Sequence, residues 1–134
     1  MYSEEKKSLC NVRLDKAKQL LSEAQKMIEF EMFESAANRS YYSIFHSMRA
    51  VLALDGEDFK KHSGVIQYFQ REYIKTGVFD KHFSKVIKSA FTLRTESDYE
   101  DFYIISKEEV QLQVEEANTF YEAVSQYITE AISE

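Results

Sequence analysis

Two residues in the first half of the sequence, Arg39 and His46, are of the types that cleave a phosphodiester without a metal. An arginine carries a permanent, forked positive charge that fits phosphate oxygens and a developing phosphorane. A histidine titrates near neutral pH, so it can take a proton from a ribose 2′-hydroxyl or give one to a leaving 5′-oxygen. Together the two side chains suffice for metal-free cleavage of RNA. The alternative is a packed, hydrogen-bonded polar pair that performs no chemistry.

The spacing of seven places Arg39 and His46 on one side of a helix, about 10.5 Å apart along its axis. That helix is predicted from Met32 to Leu54, where Asp55-Gly56 ends it. The same side carries small residues, which we call the small-residue stripe: Ala36, Ser43, Ala50 and Ala53. Small side chains let another helix or a ligand approach closely, and a symmetric dimer would present each Arg and His twice. The sequence therefore predicts a homodimer that pairs through this stripe.

A second group of candidate residues lies where the next helix is predicted to begin. Lys60, Lys61 and His62 precede Ser63, which is the predicted N-cap. The free N–H groups at a helix start favour an anion. We therefore expect Lys60, His62 and Ser63 to bind a phosphate or nucleotide, with Arg94 near the ligand. The alternative is a capped helix start with solvated lysines.

Arg94, Asp98 and Tyr99 are predicted to form a structural network, because an Arg–Asp pair and a Tyr hydroxyl can satisfy one another. This network would hold a loop against the second helix. The three histidines are scattered along the chain and Cys10 is the single cysteine. The sequence accordingly predicts no metal site, no cofactor and no internal disulfide.

The length of 134 residues indicates a single domain over residues 1–134. The absence of Pro and the three Gly argue against a turn-rich β-structure, and no apolar run is long enough for a membrane span. The lack of a signal peptide and the single cysteine favour the cytoplasm. A net charge of −6 disfavours binding of a polyanion to the whole surface. However, residues 58–90 carry seven Lys and Arg against three Asp and Glu, whereas residues 91–134 carry two against eleven.

Helical periodicity runs through the chain and predicts an all-α antiparallel bundle of four to five helices. The predicted helices cover residues 4–30, 32–54 and 63–77, a fourth segment that begins after an Asp80 cap, and residues 106–132. A capping box, Ser106 with Glu109, opens the last helix. Residues 95–105 are predicted to be a loop.

Four segments of the chain, in order, resemble HEPN domains (higher eukaryotes and prokaryotes nucleotide-binding), in particular small stand-alone prokaryotic members. The family hallmark is Arg, four to six residues, then His, and Arg39 and His46 are separated by six. The segments are Asn38-Arg-Ser-Tyr-Tyr-Ser-Ile-Phe-His46 with Arg49-Ala-Val-Leu-Ala53, then Asp58-Phe-Lys-Lys-His-Ser-Gly64, Tyr73-Ile-Lys-Thr-Gly77, and Leu93-Arg-Thr-Glu-Ser-Asp-Tyr-Glu-Asp-Phe102. The resemblance covers about 90 residues, from 32 to 121.

The resemblance implies a compact, commonly dimeric helical bundle. Many HEPN proteins are RNA-cleaving toxins of toxin–antitoxin modules, in which Arg and His from two subunits form a metal-independent ribonuclease site. Carried over, Arg39 would stabilise the phosphate, His46 would act as acid or base, and a minimal nucleotidyltransferase antitoxin is an implied partner. In one toxin subgroup that partner modifies a Tyr two residues after the His, where this chain has Met48, and a polar Asn or Asp follows the Arg, where it has Ser40. The alternative is a non-catalytic HEPN module that binds a nucleotide or another protein.

Overall fold

The computed structural model describes residues 2–99, 101 and 103–133, and within them the chain forms five α-helices and no strand. The helices are α1 (Glu4–Glu29), α2 (Phe33–Asp55), α3 (His62–Phe69), α4 (His82–Tyr99) and α5 (Lys107–Ser133). A π-helical turn over Gln70–Ile74 continues α3. The all-α prediction is confirmed, and α1, α2 and α5 match their predicted bounds to within a residue or two.

Local capping explains where these helices begin and end. The Ser3 hydroxyl accepts a hydrogen bond from the Lys6 N–H at the start of α1 (3.2 Å). Gly56 follows α2 with φ +74°, a left-handed conformation that favours glycine. The Asp80 carboxylate accepts from the His82 N–H (2.8 Å), and the Ser106 hydroxyl accepts from the Glu109 N–H (3.1 Å).

Helices α1 and α2 pack along their lengths in opposite directions. The two helices are antiparallel, because residues later in α2 contact residues earlier in α1. The contacting pairs are Arg39 with Glu23, Ser43 with Ala17, and Arg49 with Arg13. Helix α2 also contacts α3, α4 and α5. It is therefore the central element of the bundle, and its apolar residues, such as Ile44, Val51 and Leu52, are fully buried.

The small-residue stripe of α2 faces α1, which corrects the prediction that it pairs two copies of the chain. Ala36, Ser43, Ala50 and Ala53 are between 0% and 2% exposed within one protomer. The Ser43 hydroxyl donates to the Ala17 carbonyl across the helix pair at 2.8 Å. Small side chains do allow a close helix approach, but the approaching helix belongs to the same chain.

Two predicted boundaries are wrong. Ser63 is not an N-cap: Lys61 has the extended conformation of that position, and its carbonyl accepts from the Gly64 and Val65 N–H groups. Residues 95–99 are helical rather than a loop, because the Arg94–Asp98 ion pair (3.0 Å) and a hydrogen bond from the Thr95 hydroxyl to the Phe91 carbonyl (2.8 Å) support a further turn of α4. Glu100 and Phe102, also in the predicted loop, lie outside the described residues.

None of the helices within the described ranges has the length and apolar character needed to cross a membrane.

Candidate functional site

Helix α2 is open to solvent along one narrow line, which we call the open stripe. Between Ser35 and Leu54 every residue is buried except those on this line, whose members recur at three- and four-residue steps: Ser35, Asn38, Arg39, Tyr42, His46 and Arg49. Both predicted catalytic residues lie on it. The chemistry-bearing residues of α2 are therefore the accessible ones.

Arg39 is positioned by a carboxylate from α1. Its Nε lies 3.5 Å from Glu23 Oε1, and its Nη1 donates to Asn38 Oδ1 at 3.1 Å. The Arg39 side chain is 36% exposed, so a phosphate can compete with Glu23 for the guanidinium.

His46 has an uncharged imidazole at neutral pH. Burial, and then the positive charges of Arg49, Lys16 and Arg13, lower its pKa to about 4. Nδ1 of His46 is buried and has no hydrogen-bond partner among the described residues. Any proton that His46 exchanges with a substrate therefore passes through Nε2, and the free protein presents a proton acceptor.

A carboxylate clamp connects the open stripe to α1 and to the loop after α2. Asp58 Oδ2 accepts from Arg49 Nη2 at 3.0 Å and from Arg13 Nη2 at 3.1 Å. Arg13 is 8% exposed and also donates to the Arg49 carbonyl at 3.0 Å. Burial raises the pKa of Asp58, but these contacts and the Phe59 N–H outweigh it and hold the pKa below its usual value. Burial and the neighbouring Arg49 charge lower the pKa of Arg13. Its guanidinium nevertheless stays protonated and forms an ion pair with Asp58.

Sequence reasoning missed the clamp, although a signal for it was present. Arg13 occupies the apolar, helix-facing line of α1, which otherwise holds Cys10, Ala17, Leu21 and Ala24. A charged residue on a buried line requires a buried partner, and Arg49 lies on the same side of α2 as His46.

A cleft of about 430 Å³ lies beside the open stripe, between α2 and the start of α3. Its walls are Phe45, Arg49, Asp58, Phe59, Lys60 and His62. The His62 and Phe45 rings lie 4.1 Å apart, and His62 Nδ1 shares a hydrogen bond of 2.9 Å with the Tyr41 hydroxyl. Burial, then the charges of Arg94 and Arg49, lower the pKa of His62. The cleft thus combines aromatic walls with cationic side chains.

The structure brings together only some of the residues predicted to bind phosphate. Lys60 and His62 line the cleft, whereas Ser63 is exposed in the first turn of α3 and does not. Arg94 lies on α4 and does not line the cleft. Its Nη2 donates to the hydroxyl of Tyr42, a residue of the open stripe, at 3.1 Å.

Arg94, Asp98 and Tyr99 lie together on α4. Arg94 Nε is 3.0 Å from Asp98 Oδ2, an ion pair without hydrogen-bond alignment, and the guanidinium lies 6.0 Å from the Tyr99 ring centroid. The same guanidinium lies 5.5 Å from the Tyr41 and Tyr42 centroids. Tyr99 is 70% exposed, and the set fixes α4 against α2 through Arg94, whereas the sequence predicts that it fixes a loop.

Within the described ranges, no three His, Cys, Asp or Glu side chains are grouped closely enough to hold a metal ion. The single thiol, Cys10, is buried in the core, and burial raises its pKa to about 11.

Comparison with known proteins gives a consistent result. The HEPN domain family model matches residues 11–127. A UPF0332 protein of Thermotoga maritima is 32% identical over 124 residues, which cover 92% of this chain and 94% of the relative. A Methanocaldococcus jannaschii protein named "Putative toxin MJ0142" is 30% identical over 86% of this chain and 78% of its own length. A second protein of that organism, "Putative toxin MJ0605", is 29% identical over 87% of this chain and 86% of its own length.

Proposed function

The chain belongs to the HEPN domain family, and from that membership we propose that it is a metal-independent endoribonuclease, the toxin of a toxin–antitoxin module, that uses Arg39 and His46. Two of its relatives carry the word toxin in their names, which supports the same biological role. A minimal nucleotidyltransferase is the proposed antitoxin.

The observation that carries the proposal is the electrostatic character of the open stripe. The protein as a whole is acidic, with a net charge of −6, yet Arg49, Lys16 and Arg13 lie close enough to His46 for their charges to add to the effect of burial in lowering its pKa. Two carboxylates pair with the arginines of this region: Asp58 with Arg13 and Arg49, and Glu23 with Arg39. A site with this balance attracts an anion, and a phosphodiester offers two acceptor oxygens to forked guanidinium groups.

The reaction follows from these groups. Neutral His46 accepts the proton of a ribose 2′-hydroxyl, and the 2′-oxygen attacks the adjacent phosphorus. Arg39 stabilises the additional negative charge on the phosphorane, and the bond from phosphorus to the 5′-oxygen breaks. The products are a 2′,3′-cyclic phosphate and a 5′-hydroxyl, whose proton comes, directly or through a water molecule, from the imidazolium that His46 becomes on taking the 2′-proton. A homodimer that places two open stripes together brings Arg39 of one copy close to His46 of the other.

The direct test is cleavage of mixed RNAs in the presence of EDTA. We expect wild type to cut and to leave 2′,3′-cyclic phosphate ends, and Arg39→Ala and His46→Ala to lose at least about a hundredfold in rate, the usual contribution of acid–base and oxyanion groups. Arg71→Ala and His82→Ala are matched controls, because Arg71 is an exposed, ion-paired arginine and His82 an exposed histidine away from the site.

The proposal fails if wild type leaves RNA intact in EDTA or if the Arg39 and His46 variants cut as fast as the controls. Cleavage of an oligonucleotide with 2′-O-methyl riboses would also contradict it, since that substrate has no 2′-hydroxyl to attack. The oligomeric state of every variant is measured on the same samples by sedimentation, so that loss of a dimer is distinguished from loss of chemistry.

A second candidate function, binding of a nucleotide without cleavage, is favoured by the cleft beside the stripe. Its aromatic walls suit a base, and Lys60 and Arg49 suit a phosphate. We expect AMP to bind by calorimetry, with weaker binding in Lys60→Ala and His62→Ala. Ser63→Ala, outside the cleft, is the control. Absence of AMP binding at millimolar concentration, or equal binding by all variants, rules this function out.

A further inference from the structure

A second and larger cleft, of about 900 Å³, lies on another side of the molecule, between the end of α3 and the start of α4. Its apolar walls include Ile66, Ile74 and Phe79. It shares no lining residue with the cleft beside His46, so a ligand there does not depend on the proposed nuclease. A cleft of this size is at the upper end of what ligand-binding clefts in proteins enclose.

Positive side chains surround these apolar walls. Lys75, Lys81 and Lys88 line the cleft and form no ion pair within 4 Å among the described residues. Arg71 also lines it and is paired with the neighbouring Glu72 at 2.8 Å. The acid among the lining residues, Asp80, is engaged as the cap of α4. The cleft therefore carries uncompensated positive charge around an apolar floor.

An unpartnered donor also lies beside this cleft. Gln70 lines the cleft, and its Nε2 is inaccessible to solvent without a hydrogen-bond partner among the described residues. Rotation of the Gln70 side chain toward the cleft would let a carbonyl or carboxylate oxygen of a ligand accept a hydrogen bond from this amide. Gln70 opens the π-helical turn, a local geometry that is frequent at functional sites.

The side chains that line this cleft favour a peptide over a nucleic acid as its ligand. Single-stranded nucleic acids stack their bases on exposed aromatic faces. The one aromatic residue that lines the cleft, Phe79, is only 5% exposed, and the other apolar walls are aliphatic. Aliphatic grooves bordered by charge accept the apolar face of an amphipathic segment. From the apolar floor, the lysine rim and the free amide of Gln70, we propose that this cleft binds an acidic amphipathic segment of a partner protein.

The test is selection from a displayed library of random 16-residue peptides on the full-length protein at low salt. We expect enrichment of peptides that place apolar residues three and four apart with Asp or Glu beside them. The double variant Lys75→Glu/Lys81→Glu should bind the selected peptides about tenfold more weakly, the effect of losing two exposed ion pairs. Lys18→Glu/Lys26→Glu is the matched control, because both lysines are exposed on α1 and the change in net charge is the same.

Gln70→Glu gives an independent measure, since it replaces the buried amide donor with an acceptor and should also weaken binding. The inference is overturned if no acidic amphipathic sequence is enriched, or if enriched peptides bind the Lys75/Lys81 variant as tightly as wild type. It is equally overturned if that variant instead loses affinity for single-stranded RNA, or if it separates a wild-type dimer, because the cleft would then hold a nucleic acid or a second copy. Thermal unfolding of each variant verifies that the bundle is intact.

Discussion

His46 illustrates how surroundings select one of the two roles that a histidine can take. Burial and three positive neighbours remove its proton at neutral pH, so the free protein holds a base and not an acid. A bound phosphodiester reverses part of this effect, because its negative charge opposes that of Arg49, Lys16 and Arg13. Substrate binding and protonation of His46 are therefore coupled.

We predict that NMR titration of the His46 ring gives a pKa of about 4 in the free protein. Arg49→Gln should raise this pKa, because one of the positive charges that lower it is removed. A 2′-O-methyl RNA oligonucleotide, which binds without being cut, should raise it as well. An unchanged His46 pKa at saturating oligonucleotide would mean that the phosphate lies away from the open stripe.

The same depressed pKa makes stability depend on pH. Between about pH 6.5, the ordinary pKa of His46, and about pH 4, its pKa in the folded protein, the unfolded chain binds a proton that the folded chain does not. The free energy of unfolding should therefore fall as the pH is lowered through this window and be unaffected by His46 above it. His46→Gln should reduce this fall by on the order of 2 kcal/mol, measured by urea unfolding at pH 7 and pH 4.5. Parallel losses in both proteins would show that other groups are responsible.

At the level of elements, the loop after α2 is fixed by Asp58 to two helices at once. Removing its charge leaves Arg13, which is 8% exposed, with fewer acceptors. We expect Asp58→Asn to lower the free energy of unfolding by about 1–3 kcal/mol. Glu72→Gln is the control, because it removes the exposed partner of Arg71 and should cost less than about 0.5 kcal/mol. Equal effects in chemical denaturation would contradict a structural role for the clamp.

The close packing of α1 on α2 gives a second prediction at this scale. Ser43→Leu should destabilise the protein by about 2–4 kcal/mol, because it overfills the contact and removes the hydrogen bond to the Ala17 carbonyl. Ser22→Leu makes the same change on the exposed face of α1 and should have little effect. A Ser43 variant as stable as wild type in thermal unfolding would show that the helices can separate without cost.

The helices themselves were largely predictable, since Gly56, Asp80 and Ser106 are local signals that the structure uses as the sequence suggests. The N-cap prediction for Ser63 is wrong because a serine in the first turn of a helix cannot be distinguished by sequence from a serine at the N-cap. The spacing of Arg39 and His46 correctly predicts that they share one side of α2, but that side is the open stripe and not the buried side of the small residues. Periodicity cannot say which neighbour a side faces: the sequence predicts a second copy against the small-residue stripe, and the structure places α1 of the same chain there. The clamp depends on Arg13, which lies 36 residues from Arg49 and 45 from Asp58 in sequence, and the neutral state of His46 depends mainly on its burial in the folded chain.

For the whole molecule, the proposed dimer predicts that two inactive variants can restore activity to each other when they form a mixed dimer. Arg39→Ala and His46→Ala chains, each inactive alone, are co-expressed with different tags and the mixed dimer is isolated. If a site takes Arg39 from one copy and His46 from the other, the mixed dimer contains one intact site and should recover up to about half of wild-type activity. A mixed dimer as inactive as its parents would place both groups of each site in one protomer.

The division of α2 into a buried surface and a narrow accessible line has an evolutionary consequence. Substitutions at most of its positions disturb the centre of the bundle, whereas Arg39 and His46 lie on the open stripe outside the clamp and the contact with α4. A lineage can therefore gain, lose or exchange the reactive side chains by a few codon changes while the architecture persists. For proteins with this scaffold, the identities of a few accessible residues on one helix are a better guide to inherited activity than overall similarity.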